Sequence, residues 1–181
     1  MKVVSFDLET SNLNADFGIV LCGCFMEYGE GKSRKVKTLR IDDTKSYKKE
    51  PWNDRELVCA IRDELEGADI ICGWNSKRFD VPFLQGRLMY NNERTMSRIK
   101  HIDLMYQARY KVKLHSSRLA AVQSFLDLPD AKTEIKPQVW VKALTGDRKA
   151  MDYIATHCVQ DVKVLDEVYS RLKHFVTIIH P

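Results

Sequence analysis

Residues 2–9, KVVSFDLE, alternate apolar and polar side chains closely enough to predict a strand. FGIVLCGCFMEY and KSRKVKTLRI predict two more, joined by GEGK, a hairpin turn by composition. DDTKSYKKEP reads as a polar loop. A helix start follows, with Asn53 as N-cap and Glu56 closing a capping box. Trp52 and Leu57 are spaced for a hydrophobic staple. That helix is expected to run to about Glu66, and ADIICGW is a short buried strand. FDVPFLQGRLMY and SSRLAAVQSFL predict two further helices, and PQVWVKAL a short one that TGD stops. A last amphipathic helix extends from about Arg148 to Lys173. A meander of strands followed by mixed β and α elements predicts an α/β sandwich around a mixed sheet.

The chain has 181 residues, 44% hydrophobic and 30% charged, which fits a globular composition. Without repeats or Pro/Gly-rich linkers, residues 1–181 are expected to form one domain. No apolar run approaches the roughly 18–20 residues that span a bilayer. MKVVSFDLET turns acidic too early for a signal peptide, so a cytoplasmic protein with no membrane partner is expected. Five scattered cysteines argue against a disulfide framework. Cys22-Gly23-Cys24 has the form of half a zinc site, but no second pair stands at zinc spacing. A net charge of +4 permits a polyanionic partner without demanding one.

Three acidic stations carry the candidate chemistry. On a strand, Asp7 and Glu9 share one face while Val4, Phe6 and Leu8 fill the other. Their repulsion at about 4 Å costs about 1 kcal/mol in water and about 4 kcal/mol at the dielectric of a protein surface. Either the pair faces solvent or a hard cation such as Mg²⁺ neutralises it. In GWNSKRFDVPFL, Asp80 opens a helix just after a strand. There it complements the helix dipole, or it reaches with Asn75 toward the sheet edge where α/β folds bind ligands. In HCVQD, at about 100° per residue, Asp161 falls about 20° from Ile154, inside the apolar stripe, with His157 on its rim. A lone ionised carboxylate there costs several kcal/mol unless it is paired, protonated or metal-bound.

Together, FDLET, NSKRFDVPFL and HCVQDV resemble the DEDD superfamily of 3′–5′ exonucleases, whose fold is ribonuclease H-like. They look most like the proofreading domains of family B DNA polymerases and the stand-alone YprB-type predicted exonucleases. The resemblance runs from Val3 to about Leu172. It implies a central mixed sheet of five or six strands flanked by helices. It implies that Asp7, Glu9, Asp80 and Asp161 hold two divalent cations, Mg²⁺ or Mn²⁺, about 4 Å apart. Thr10 and Asn75 would position the terminal nucleotide. The implied activity is hydrolysis of terminal phosphodiester bonds in single-stranded or frayed DNA, and DNA repair is one implied setting. The alternatives are trimming of RNA 3′ ends, a non-catalytic nucleic-acid-binding module, and an endonuclease on the same fold.

One position departs from the family pattern. The tyrosine class places Tyr four residues before the last Asp, and the histidine class places His five before it. Here His157 has the chemistry of one and the spacing of the other. At i and i+4 it shares a face with Asp161, so it is expected to act on the attacking water. Unperturbed imidazole titrates near 6.5, so it can serve as a base where phenol, near 10, mainly orients. Asp103 is expected to cap the helix after it, and the cations of RYKVKLHSSR, with Lys132 and Lys136, are candidates for a nucleic-acid backbone.

Overall fold

A computed structural model describes residues 1–29, 35–129, 135–176 and 179. Its five strands are β1 (Val3–Thr10), β2 (Val20–Glu27), β3 (Lys37–Arg40), β4 (Ile70–Gly73) and β5 (Lys100–Asp103). Their order in the sheet is β3-β2-β1-β4-β5. β1 pairs antiparallel with β2 and parallel with β4, which makes the sheet mixed. The expected GEGK turn lies largely outside the described residues, as does Lys132.

The helices are α1 (Lys45–Lys49), α2 (Arg55–Glu66), α3 (Asp80–Tyr90), α4 (Leu104–Lys111), α5 (Leu119–Phe125), α6 (Pro137–Leu144) and α7 (Arg148–Leu172). Alternation along β1 sends Val4, Phe6 and Leu8 to one face. There they join Ile61 of α2 and Phe83, Leu84 and Leu88 of α3 in one core. The opposite face carries Cys22, Cys24 and Asp7, and α7 crosses it. The second half of α7 closes a further core with α4, α5, β4 and β5, in which Ile102, Leu104, Leu165 and Val168 are buried. The apolar stripe of α7 is thus used along its whole length.

Several local expectations are corrected. The capping box at α2 does not form. Asn53 Oδ1 accepts the N–H of Arg55 (3.1 Å), but Glu56 turns away to accept the N–H of Lys45 (2.7 Å). The staple is absent too, because Trp52 is 55% exposed. The polar loop contains α1, capped by Thr44, whose Oγ1 accepts the N–H of Tyr47 (3.3 Å). β5 is an edge strand with no alternation to announce it, and Asp103 closes it while capping α4 as expected.

Asp54 is the N-cap position of α2, yet its buried carboxylate is used elsewhere. It takes two bonds from the Arg87 guanidinium of α3 (2.9 and 3.0 Å), one from the Val20 N–H (3.0 Å) and one from the Asn91 amide (2.9 Å). Arg87 also donates to the carbonyl of Ala15 (3.0 Å). This clamp ties the loop between β1 and β2 to the helix that begins at Asp80.

Candidate active site

β1 is longer than its neighbour β4. β4 accompanies it only through Val3, Val4 and Ser5, opposite Ile70, Ile71 and Cys72. Past that point the β4 side of β1 is open, and its amides need other acceptors. Asp80, the first residue of α3, fills the gap. Its Oδ1 accepts the N–H of Leu8 (3.1 Å), which seats the carboxylate against the strand segment that carries Asp7 and Glu9.

The turn leading to Asp80 is built from backbone constraints. Gly73 ends β4 where a Cβ would stand 2.1 Å from Ser76 Oγ, so no side chain fits. Asn75 has φ of +58°, a left-handed conformation that Asn tolerates better than most residues. Asp103, fully buried, fixes the turn from β5. Its Oδ1 accepts the N–H groups of Asn75 (3.0 Å) and Met105 (3.1 Å), and its Oδ2 that of Lys77 (3.0 Å). Ser76 Oγ lies 2.8 Å from His101 Nε2, both buried. Asp103 caps α4 as expected. Its reach across to the turn joins residues 26 and 28 positions apart, which no local pattern reveals.

α7 closes the site from the other face. Cys158 Sγ lies 3.4 Å from the Asp7 carbonyl and 3.5 Å from Asp7 Oδ2, donating toward both. Asp7, Glu9 and Cys158 each present a ligand atom within 4.8 Å of the other two. Cys158 also contacts the thiols of Cys22 and Cys24, the cross-strand neighbours of Glu9 and Asp7. Cys22 and Cys24 are therefore strand residues, as their segment predicts, packed behind the carboxylates. One turn on, Asp161 is partly exposed, with Oδ2 3.6 Å from His157 Nε2. Thr10 follows the irregularity in β1 at Glu9/Thr10, and its Oγ1 donates to the carbonyl of Asn12 (2.8 Å).

The fields of the neighbouring acids converge on Asp7. The Asp7 carboxyl is raised well above the usual range, first by burial and then by the fields of Asp80, Glu9 and Asp161. Asp80 is pushed up to about 7, chiefly by burial, against the lowering effect of the Leu8 N–H. Burial likewise raises the Cys158 thiol, which stays protonated as a donor to Asp7. Among the described residues no Lys or Arg forms a salt bridge with Asp7, Asp80 or Asp161. Buried carboxyls held above their usual range with no salt-bridged Lys or Arg are suited to hard divalent cations. The donor set thus fits such a metal: Asp7 and Glu9 from β1, with Asp80 and Asp161 beside them.

No curated protein matches the sequence. Among solved structures, the family B DNA polymerase from the hyperthermophilic archaeon Pyrobaculum calidifontis is similar in fold, with a TM-score of 0.73 at 15% identity. The match covers 96% of this chain and 24% of that one, so the chain spans about a quarter of the polymerase's length. A family model described as RNase_H superfamily matches residues 4–173. With a five-stranded mixed sheet flanked by helices and an acidic cluster against its central strand, the chain belongs to the RNase H superfamily.

Proposed function

We propose that the protein is a metal-dependent 3′–5′ exonuclease that removes nucleotides from single-stranded or frayed DNA. Membership of the RNase H superfamily supports a nucleic-acid hydrolase, and nucleases of this fold generally use divalent metal ions. The observation that carries the reading is the seating of Asp80 on the Leu8 amide, between Asp7 and Glu9, with Asp161 close enough to raise Asp7 further.

In this reading Asp7, Glu9, Asp80 and Asp161 hold two divalent cations, Mg²⁺ or Mn²⁺. When bound, these ions supply positive charge to the attacking and leaving oxygens of the phosphodiester. The protein's own part is positional. β1 and the Leu8–Asp80 bond set the spacing of three carboxylates, and α7 brings the fourth. His157, one turn before Asp161, orients the attacking water and accepts its proton. Thr10, at the end of β1, and Asn75, in the turn fixed by Asp103, hold the terminal nucleotide. The partner is a nucleic acid, and the setting is the cytoplasm.

The test is incubation with 5′-labelled DNA and RNA oligomers in Mg²⁺, Mn²⁺ or EDTA. A metal-dependent ladder from the 3′ end, abolished by Asp7→Ala, is expected on DNA. A ladder on RNA alone moves the assignment to an exoribonuclease, a single internal cut to an endonuclease, and binding without cleavage to a non-catalytic module. His157→Phe is expected to slow the reaction roughly 10²-fold. A rate near wild type makes His157 only a structural neighbour of Asp161.

A further inference from the structure

Between Leu104 and Leu126 the chain carries four Lys or Arg and no Asp or Glu, a net +4 that equals the excess of the whole protein. The four are Arg109, Lys111, Lys113 and Arg118, and all are exposed. None forms a salt bridge among the described residues. After α4 the chain continues as a ribbon in which Val112 and Leu114 turn inward, onto the core shared by α4, α5 and α7. Lys111, Lys113 and His115 alternate with them and face solvent. Tyr110, 67% exposed at the head of the ribbon, stacks on Tyr106 with ring planes 14° apart.

The stretch from α4 to Ser117 is anchored at both ends to the turn after β4. At its start, Asp103 caps α4 and accepts the amides of Asn75 and Lys77. At its end, the Trp74 indole N–H donates to the carbonyl of Ser117 (3.2 Å). The turn gripped at residues 74–77 is the one that delivers Asp80. The segment therefore leaves the sheet edge as α4 and returns to it as a basic ribbon.

We propose that residues 109–118 bind the sugar–phosphate backbone of a single-stranded nucleic acid whose end lies at the Asp7–Asp80 site. This rests on the nuclease reading above for what happens at that end, though not for the binding itself. Exposed cations at alternate positions match a flexible polyanion, and an exposed aromatic offers a stacking face. Charge and stacking contacts do not depend on the 2′-hydroxyl, so both DNA and RNA strands are expected to bind.

The experiment compares two triple variants with the same change in net charge. One is Lys111→Ala/Lys113→Ala/Arg118→Ala. The other is Lys45→Ala/Lys48→Ala/Lys49→Ala, all in α1. Binding of fluorescein-labelled dT15 is followed by anisotropy in EDTA, where cleavage is suppressed, across a salt series. The ribbon variant should bind at least tenfold more weakly, and its salt slope should fall by about 2, at about 0.7 per phosphate contact on single strands. The α1 variant should stay within twofold of wild type. Lys111→Arg/Lys113→Arg should retain affinity. Equal weakening in the two triples, or none in the ribbon variant, overturns the proposal. With Mg²⁺ present, the ribbon variant should show a raised KM on dT15 and unchanged turnover of thymidine 5′-(4-nitrophenyl phosphate), which is too short to reach the ribbon. Loss of turnover on both substrates also counts against it. A protein that cleaves neither substrate refutes the nuclease reading, while the anisotropy comparison still decides the binding surface.

Discussion

Asp80 should be more costly to the fold than to the unfolded chain, and the cost can be removed without disturbing the backbone. It is 3% exposed, and its pKa rises from 3.8 to about 7. A carboxyl whose folded pKa exceeds its unfolded value favours folding when protonated. That stability is fully present below about pH 4 and is lost as pH rises toward 7. At about 1.36 kcal/mol per pH unit, the shift corresponds to ~4 kcal/mol lost by pH 8 in metal-free protein. Asp80→Asn keeps a carbonyl oxygen for the Leu8 N–H and removes the charge. In EDTA at pH 8 the variant should therefore be more stable than wild type by roughly 2–4 kcal/mol, a rise in Tm on the order of 4–16 °C for a chain of this size. At pH 4.5, where wild-type Asp80 is itself neutral, the difference should shrink to under about 1 kcal/mol. Thermal and urea melts at the two pH values measure it. An equal gap at both, or a less stable variant at pH 8, refutes the assignment of Asp80 as a buried, uncompensated acid. Nuclease activity should disappear in the same variant.

Divalent cations should reverse this pH profile. Mg²⁺ or Mn²⁺ at millimolar concentration should raise Tm clearly at pH 8 and less at pH 5, where Asp80 is protonated, and Asp7→Asn should blunt the effect. Arg87→Met leaves Asp54 buried without its guanidinium and should cost about 3–5 kcal/mol in urea melts; a loss under 1 kcal/mol means that the clamp is not holding the β1–β2 loop to α3. Gly73→Ala places a Cβ 2.1 Å from Ser76 Oγ. It should cost about 1–3 kcal/mol and reduce cleavage by displacing the turn that carries Asp80, whereas unchanged melts and rates mean that the turn yields without strain.

What could be read from the sequence follows from the range of each interaction. α3, α6 and α7 were legible because their apolar spacing and their stops are local. The meander and the shared face of Asp7 and Glu9 were legible because strand alternation is local too. The position of Asp161 on the α7 stripe was legible as an anomaly, and its half-buried place beside His157 shows where the stripe meets the site. β5 was not legible: its four residues, KHID, include a buried His and a buried Asp whose partners lie in the turn after β4. The α2 cap was misread because both of its acids have distant or competing partners. Asp54 answers to Val20 and Arg87, and Glu56 to Lys45. The contact of Cys158 with Asp7 spans 151 residues, so only the fold brings that thiol to the carboxylates.

β4 stops three residues into its pairing with β1 and leaves a notch in the sheet. Two further β residues after Gly73 would complete the ladder and give the Leu8 amide an ordinary strand partner. They would also displace Asp80 from its seat on β1. The regular sheet and the acidic site are thus competing solutions for the same few ångströms of backbone, and this chain holds the less regular one. Local frustration of that kind is where a minimally frustrated sequence keeps its function. A redesign that optimised this sheet for stability alone would be expected to heal the notch first and lose the chemistry with it.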